Sequence, residues 1–174
     1  MKHSGRSFAL GFGRLLWPIL LMVLVFGCNS ISVSPIGHTV PEVKWIALPQ
    51  SGEYSGTWTN EDLSLPYKFL RNQSQLTISG SVRFADRITN SFKTIQYFHL
   101  DALPVDSQGK VLDMVALTTE GNVILEFNRS VAFSKDLTLP PNTASIVFSY
   151  RGRAYGGNSA DGGGTIDFWE YPVY

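Results

Sequence analysis

Cysteine and charge are both scarce in this chain. Its 174 residues include a single cysteine, so an intrachain disulfide and a metal site of several cysteines are excluded. Charged residues make up only 16%, whereas they make up about a quarter of an ordinary globular domain. The 14 basic residues balance the 14 acidic ones, which excludes a strongly basic nucleic-acid-binding protein and an acidic solvating tail. Apolar residues reach 44%, too many for a disordered chain.

The N-terminal segment has no acidic residue at all. Lys2, Arg6 and Arg14 form a basic start, and an unbroken apolar run of 12 residues follows at positions 15–26. Such a run matches the roughly 7–15 residues of a secretory signal and is shorter than the roughly 20 residues that span a bilayer. We therefore predict that residues 1–27 are a signal peptide. Its removal takes away three basic residues and no acidic one, which leaves a net charge of −3.

The apolar run ends in Val25-Phe26-Gly27-Cys28, which resembles the lipobox of bacterial lipoproteins. The resemblance implies cleavage between Gly27 and Cys28 and attachment of diacylglyceryl and fatty acyl chains, such as palmitate, to Cys28. Two or three acyl chains anchor a protein stably, whereas one does not. Because Asn29 and not an aspartate follows the cysteine, the resemblance implies the outer membrane more than the inner membrane. The alternative is a free, buried Cys28 in a plain signal anchor.

Groups that commonly carry catalysis are also few. Only His38 and His99 remain after the signal, and the chain has neither a Gly-x-Ser-x-Gly turn nor a His-Glu-x-x-His motif. His99 and Asp101 lie two residues apart and share one face of a strand. In one interpretation Asp101 orients the imidazole, and in the favoured one the two are a solvent-facing pair. The sequence predicts a protein that is not an enzyme and holds no metal or cofactor.

A two-residue alternation of apolar and polar side chains dominates from residue 53 onward. The clearest strand spans residues 76–84. In residues 95–103 the alternation changes phase near Tyr97 and Phe98, as it does at a β-bulge. Seven to nine short strands with turns between them indicate an all-β domain. We expect an antiparallel, immunoglobulin-like β-sandwich, with a small β-barrel as the alternative.

The length of the chain suits one ordinary domain. We predict a tether over residues 28–50, which are poor in charge and contain several serines and prolines. A single β domain is expected over residues 51–174. Val43, Trp45 and Ile46 fit a second interpretation, in which part of the tether forms a first strand or an apolar strap on the domain.

The stretch from Leu76 to Tyr150, about 75 residues, resembles the FxLYD modules of bacterial surface proteins and, more loosely, the LEA-type immunoglobulin-like sandwich. The shared features are a glycine-containing strand at residues 78–82, an Asp-x-x-Gly-Lys-Val hairpin at residues 106–111 and a proline turn at residues 139–142. The Leu-Tyr-Asp signature is replaced by Leu103-Pro104-Val105-Asp106. Such modules have no catalytic residues to carry over, so the resemblance implies a structural or interaction role.

A second resemblance is carried by Gly56-Thr57-Trp58, which is similar to the Gly-x-Trp motif of lipocalins. In lipocalins this tryptophan closes the floor of a barrel whose interior holds an apolar ligand, so the resemblance implies a carrier. Alternatively, Trp58 is an ordinary core aromatic, since tryptophan is buried on average.

The C-terminal part of the chain contains the remaining candidate residues. In the glycine-rich stretch 156–164, Asp161 offers oxygen ligands that Ca²⁺ would take together with Asp167, although a mobile hairpin loop is the favoured interpretation. Residues 168–174 are dense in aromatics, which would stack on sugar rings or dock a partner, unless the segment only closes the sheet. Asp161, Asp167, Trp169 and Tyr171 are therefore the candidate binding residues.

These patterns together predict a lipid-anchored β-sandwich protein of the bacterial cell envelope with a non-enzymatic structural or protein-interaction role. Its expected partners are the membrane, through the lipid anchor, and an envelope protein, but not nucleic acid. A lipocalin-like carrier of an apolar ligand and a glycan-binding module are the alternatives.

Overall fold

The computed structural model describes residues 34–125, 130–156 and 164–173. Residues Pro35–Tyr174 form one compact unit. Gly27, Cys28 and Asp161 lie outside the described residues, so the predictions made for them stay predictions. Across the described parts of the chain, no helix is both long enough and apolar enough to cross a membrane.

Strands make up most of this unit. A 3₁₀ helix of three residues, Glu42–Lys44, precedes the first strand, and one short α-helix, α1 (Asp86–Thr89), lies between the fourth and fifth strands. The described strands are β1 (Ile46–Ala47), β2 (Gly52–Thr59), β3 (Leu63–Asn72), β4 (Gln75–Phe84), β5 (Thr94–Val105), β6 (Val115–Ile124), β7 (Ser130–Thr138), β8 (Ser145–Tyr155) and β9 (Thr165–Glu170).

The strands form two antiparallel sheets. β2, β3, β4 and β7 lie side by side in that order in a four-stranded sheet. The five-stranded sheet has the order β1, β8, β5, β6, and β9 also pairs with β8, beyond the two residues that β1 occupies. Among the described strands no pairing joins one sheet to the other, and buried side chains of both sheets form one core between them. The predicted β-sandwich is therefore confirmed, and the fold is not the alternative closed barrel.

Alternating burial along β4 shows how the sequence produces this layer. Leu76, Ile78 and Val82 are buried, whereas the residues between them are more exposed. Gly80 takes another inward position, where the ring of Phe133 would lie only 2.9 Å from an added Cβ. The alternation therefore directs one apolar face of the strand into the core.

The predicted irregularity in β5 is confirmed. The register of β5 with β8 shifts between Ile95 and Tyr97. Ile95 and Phe98 are both buried although they are three positions apart, an odd spacing that the strict alternation of a regular strand does not allow. As a consequence, Tyr97, His99 and Asp101 share the outward side of β5.

Aromatic rings fill the space between the sheets. The ring of Trp58 lies 5.7 Å from that of Phe148 and 5.9 Å from that of Tyr150. Deeper along the core, the rings of Phe98 and Phe168 stack at 6.3 Å. Trp58 is thus a core aromatic of a filled sandwich, which corrects the lipocalin interpretation of this residue as the floor of a ligand barrel.

The N-terminal strap, which we define as residues 35–45, packs on the domain. Its backbone bonds to the β5–β6 connection, with the amide of Val40 2.9 Å from the Gly109 carbonyl. Beneath it lies a second, smaller core, formed by Val40, Leu103, Val105, Val111 and Val147, with Trp45 and Val173 against them. From residue 35 on, the segment expected as a tether is therefore part of the domain, as the strap interpretation has it.

Candidate functional site

The two outer faces of the sandwich carry different side chains. Outward positions of the four-stranded sheet are mainly serine and threonine: Ser55, Thr57, Thr59, Ser64, Thr77, Ser79, Ser81, Ser130, Ser134 and Thr138. The five-stranded sheet instead has an aromatic face, which we define as Tyr97, His99, Asp101, Arg151, Arg153, Asp167, Trp169 and Tyr171. Tryptophan, tyrosine and arginine are enriched where proteins bind partners, so this face is the candidate site.

The aromatic face has three rows of side chains that run across its strands. In the first row, Arg153 forms an ion pair with Asp167. The strand register places Arg153 between Tyr97 of β5 and Asp167 of β9. Nε and Nη2 of Arg153 donate to the two carboxylate oxygens of Asp167 at 2.6 and 2.9 Å, and its guanidinium carbon lies 5.7 Å from the centre of the Tyr97 ring. The hydrogen bond from Arg153 lowers the pKa of Asp167. Asp167 therefore positions Arg153 on the aromatic face.

In the second row, the exposed indole of Trp169 lies in register with the guanidinium-bearing Arg151. Arg151 lies in register between His99 and Trp169. Nδ1 of His99 is 3.1 Å from the hydroxyl of Thr119, so Thr119 holds this ring nitrogen. Trp169 is 65% exposed, more than any other described Phe, Trp or Tyr. The ion pairs found among the described side chains do not include Arg151.

The third row consists of Asp101 and the tyrosine that follows β9. Burial raises the pKa of Asp101, while the positive charges of Arg151 and His99 oppose this shift. Burial and the negative charge of Asp101 raise the pKa of Tyr171, which is still 46% exposed. Asp101 therefore interacts with Arg151 and His99 of the second row and with Tyr171 of its own row, and it partly offsets the charge of Arg151.

A polar network lies on the core side of β8 and β9. The hydroxyl of Tyr150 donates to Asp62 at 2.6 Å and accepts from the amide of Asn60 at 2.9 Å. Asn60 also donates to Glu170 at 3.1 Å, and Arg87 forms an ion pair with Asp62, which is only 3% exposed. Burial raises the pKa of Tyr150, so this phenol stays protonated and remains a donor. The network joins the β2–β3 turn, α1, β8 and β9.

This network positions the exposed aromatics through Glu170. The carboxylate of Glu170 forms an ion pair with Lys44 of the N-terminal strap, and its backbone carbonyl accepts a hydrogen bond from the Ser149 hydroxyl at 2.9 Å. Trp169 and Tyr171 are its immediate neighbours in the chain. Two contacts to its carboxylate and one to its backbone therefore hold Glu170, and this fixes the direction of the two neighbouring aromatic side chains on the outer side.

Three of the four predicted binding residues lie together on the aromatic face. Asp167, Trp169 and Tyr171 are there because β9 turns every second residue outward while Phe168 enters the core. Asp161 belongs to residues 157–163, which the structure does not describe.

Sequence reasoning missed the partners that complete this face. Tyr97, Arg151 and Arg153 lie on strands that precede the aromatic C-terminal segment, and only the pairing of β5, β8 and β9 brings them to it. One signal was available, since Arg151 and Arg153 alternate with the buried Tyr150 and Gly152 and must therefore point outward.

A groove elsewhere on the domain is less suited to hold a ligand. An open groove of about 330 Å³ lies where the β3–β4 turn meets the loop after β7, and its described lining contains neither an aromatic ring nor a carboxylate. Two of its residues, Gln73 and Asn142, have left-handed backbones with φ of 56° and 67°. Its one charged side chain, Arg71, already donates to the carbonyl of Pro49 at 2.9 Å.

Neither metal ligation nor similarity to known proteins adds a further site. Within the described ranges, no three His, Cys, Asp or Glu side chains gather as a metal ion requires. The chemistry of the aromatic face is therefore the ground for a functional proposal. No protein-family model, curated protein or solved structure matches this chain.

Proposed function

We propose that this protein is a lipid-anchored, non-enzymatic binding protein of the bacterial cell envelope, in the outer membrane more than the inner one, and that the aromatic face is its binding surface. The basic start, the apolar run and the lipobox-like ending at Cys28 support the anchor. The composition and the exposure of the aromatic face support the binding role.

The separation of side chains between the two outer faces is the observation that carries the proposal. Small hydroxyl side chains occupy about half of the outward positions of one face, with charged side chains such as Lys68 and Arg83 among them, as suits a solvated sheet. The other face leaves Trp169 65% exposed beside two arginines. An exposed indole contributes little burial to the fold itself, but tryptophan, tyrosine and arginine dominate the energetics of binding surfaces.

The ionisable groups of the aromatic face are arranged for binding more than for proton transfer. Both oxygens of Asp167 accept hydrogen bonds from Arg153, and a ring nitrogen of His99 is held by Thr119. A general base works best with a pKa near the operating pH, and the hydrogen bond from Arg153 lowers the pKa of Asp167. These contacts support a non-enzymatic role.

The lipid anchor is tested by metabolic labelling of growing cells with an alkyne-bearing fatty acid. Wild-type protein is expected to carry the label, whereas the Cys28→Ala variant is not, because the acceptor sulfur is gone. Equal labelling of the two proteins, or labelling of neither, would contradict the anchor.

The binding face is tested by photo-cross-linking of the full chain in living cells. A photoreactive benzoylphenylalanine is placed at Trp169, and in a matched variant at Leu70, which is 51% exposed and lies on the outer side of the four-stranded sheet. We expect an adduct, either protein or glycan, from position 169 and none from position 70. Equal adducts at both positions, or none at position 169, would rule out the aromatic face as the binding surface.

A further inference from the structure

We infer that the ligand of the aromatic face is an acidic oligosaccharide, a short chain of sugar rings that bears carboxylate groups. This inference rests on the proposed function and names the class of molecule that the face would bind. Three properties of the aromatic face support this inference: its area, its exposed rings and the ion pairing of its two arginines.

The area of the aromatic face suits a short oligosaccharide better than a protein. Three strands about 4.8 Å apart, crossed by three rows about 6.7 Å apart, cover roughly 300 Å². A stable protein–protein interface buries about 800 Å² on each partner. The face does not extend past Asp101 along β5, because the next outward residues, Leu103 and Val105, belong to the small core under the N-terminal strap. At the opposite end the outward side of β8 continues to Tyr155, which is 42% exposed, and this row adds about 100 Å². The open area is then still about half of what a stable protein interface buries on one partner, and a ligand a few rings long matches it.

The exposed rings provide an apolar surface with polar groups beside it. Trp169 and Tyr171 are two residues apart, so they lie on the same side of the chain about 6.7 Å from each other. A sugar ring presents its C–H groups on one face and its hydroxyls around the rim. An indole can therefore cover the C–H face, while Arg151, its neighbour in register, lies beside the rim.

The two arginines of the aromatic face differ in whether they form an ion pair with a carboxylate of the protein. Arg153 is satisfied by the bidentate contact with Asp167, whereas Arg151 is absent from the ion pairs among the described side chains. Its positive charge interacts with the negative charge of Asp101, but these two described side chains form no ion pair with each other. A guanidinium that lacks a carboxylate partner is the group best shaped to take one from a ligand.

The position of Arg151 specifies where the carboxylate of the ligand binds. Arg151 and Trp169 are direct neighbours across β8 and β9, so their backbones are about 4.8 Å apart. One sugar unit can stack on the indole while its own carboxylate, or that of the next unit, reaches the guanidinium. The ligand is therefore an acidic sugar chain and not a neutral one.

The test is calorimetric titration of the full chain, purified in detergent, with tetrasaccharides of galacturonate, glucuronate and mannuronate and with neutral cellotetraose. We expect at least one acidic tetrasaccharide to bind more tightly than the neutral one. The Arg151→Gln variant should lose at least about tenfold in affinity for the acidic ligand, because a charge-assisted hydrogen bond is lost. The Trp169→Ala variant should lose affinity for every ligand that binds.

Matched variants on the opposite outer face control for effects of charge and folding. Arg83→Gln removes an exposed arginine from β4, and Leu70→Ala removes an exposed apolar side chain from β3. Both are expected to bind like the wild type. Circular dichroism melting of all four variants shows whether they fold.

Two results would overturn the inference. One is the absence of binding by all three acidic tetrasaccharides, and the other is an equal loss of affinity in Arg83→Gln and Arg151→Gln. If no acidic sugar binds but cross-linking at position 169 captures a protein, the aromatic face is a protein-binding surface, and the proposed function stands without this ligand. If titration and cross-linking are both negative, the proposed function fails as well.

Discussion

Tyr150 is the residue at which the aromatic core and the buried polar network meet. Its ring lies 5.9 Å from that of Trp58 and 6.2 Å from that of Phe98. Its hydroxyl contacts both Asp62 and Asn60. Because Asp62 is almost completely buried, each donor to its carboxylate offsets part of the cost of removing that charge from water.

Replacing Tyr150 with phenylalanine keeps the ring and removes only the hydroxyl. We expect the free energy of unfolding to fall by about 1–3 kcal/mol, since the buried Asp62 loses a donor that water cannot replace. Urea unfolding followed by circular dichroism measures the change. Tyr155→Phe, at a 42% exposed tyrosine of the same strand, is the control and should change stability by less than about 0.5 kcal/mol. Equal effects of the two changes would contradict this role of the network.

Asp101 gives the aromatic face a pH-dependent stability. Burial raises the pKa of Asp101 in the folded chain above its unfolded value. Its contribution to stability is therefore fully present below the unfolded pKa and is lost as the pH rises through the folded pKa. We expect the Asp101→Asn variant to melt at a higher temperature than the wild type at pH 7, with the difference closing toward pH 3. A less stable variant at pH 7 would mean that attraction to Arg151 outweighs burial, and a difference independent of pH would mean that the charge of Asp101 does not cause it.

At the scale of elements, β9 connects the core to the candidate site. Its inward residues, Phe168 and Glu170, enter the core and the polar network, and its outward residues, Asp167 and Trp169, belong to the aromatic face. The partner strand β8 makes room for it at Gly152, where an added Cβ would lie only 2.4 Å from the ring of Phe168. The position of β9, and with it that of Trp169, depends on this close approach.

The Gly152→Ala variant tests the close approach between β8 and β9. The added methyl group must displace the ring of Phe168, which is buried, and overpacking of this kind costs about 1–3 kcal/mol. Gly121→Ala in β6 is the matched strand control, because its nearest neighbour would be the Gln96 carbonyl at 3.7 Å. Thermal unfolding should show a clear loss of stability for the first variant and little change for the second. A similar melting temperature for the two would contradict the tight contact.

At the scale of the whole molecule, the N-terminal strap protects part of one sheet. Without it, the outward side chains Leu103, Val105 and Val147 of the five-stranded sheet would face water. Trp45 closes this small core, packs over Gly109 and donates its indole N–H to the Val40 carbonyl at 3.0 Å. The strap therefore stabilises the domain and also sets one limit of the aromatic face.

Trp45→Ala is expected to lower the free energy of unfolding by about 2 kcal/mol, less than the 3–5 kcal/mol of a fully buried aromatic, because Trp45 is only half-buried. Val43→Ala, in the same strap but 86% exposed, should leave it unchanged within about 0.5 kcal/mol. Urea unfolding gives the stabilities, and limited proteolysis should cut the strap faster in the first variant. Equal proteolysis of both variants would show that Trp45 does not hold the strap.

Local patterns in the sequence determined the class of fold. A strand must place every second side chain in the core, so the alternation in residues 76–84 is sufficient to predict β4, and the change of phase near Tyr97 is sufficient to predict a bulge in β5. The same periodicity placed Trp169 and Tyr171 on one side of the last strand. These are properties of neighbouring residues, and no knowledge of which strands pair is needed to read them.

Pairing between distant strands decided the rest. The chain brings Tyr97, Arg153 and Asp167 into one row only because β8 lies between β5 and β9, and it joins Asp62 to Tyr150 across 88 positions of sequence. Whether residues 35–45 extend freely or cover a small core depended on the apolar surface that Leu103 and Val147 leave open. Burial of that surface is a collective property of several strands, so the sequence determined the strands of this protein, and only the tertiary structure decided which side chains form its candidate binding face.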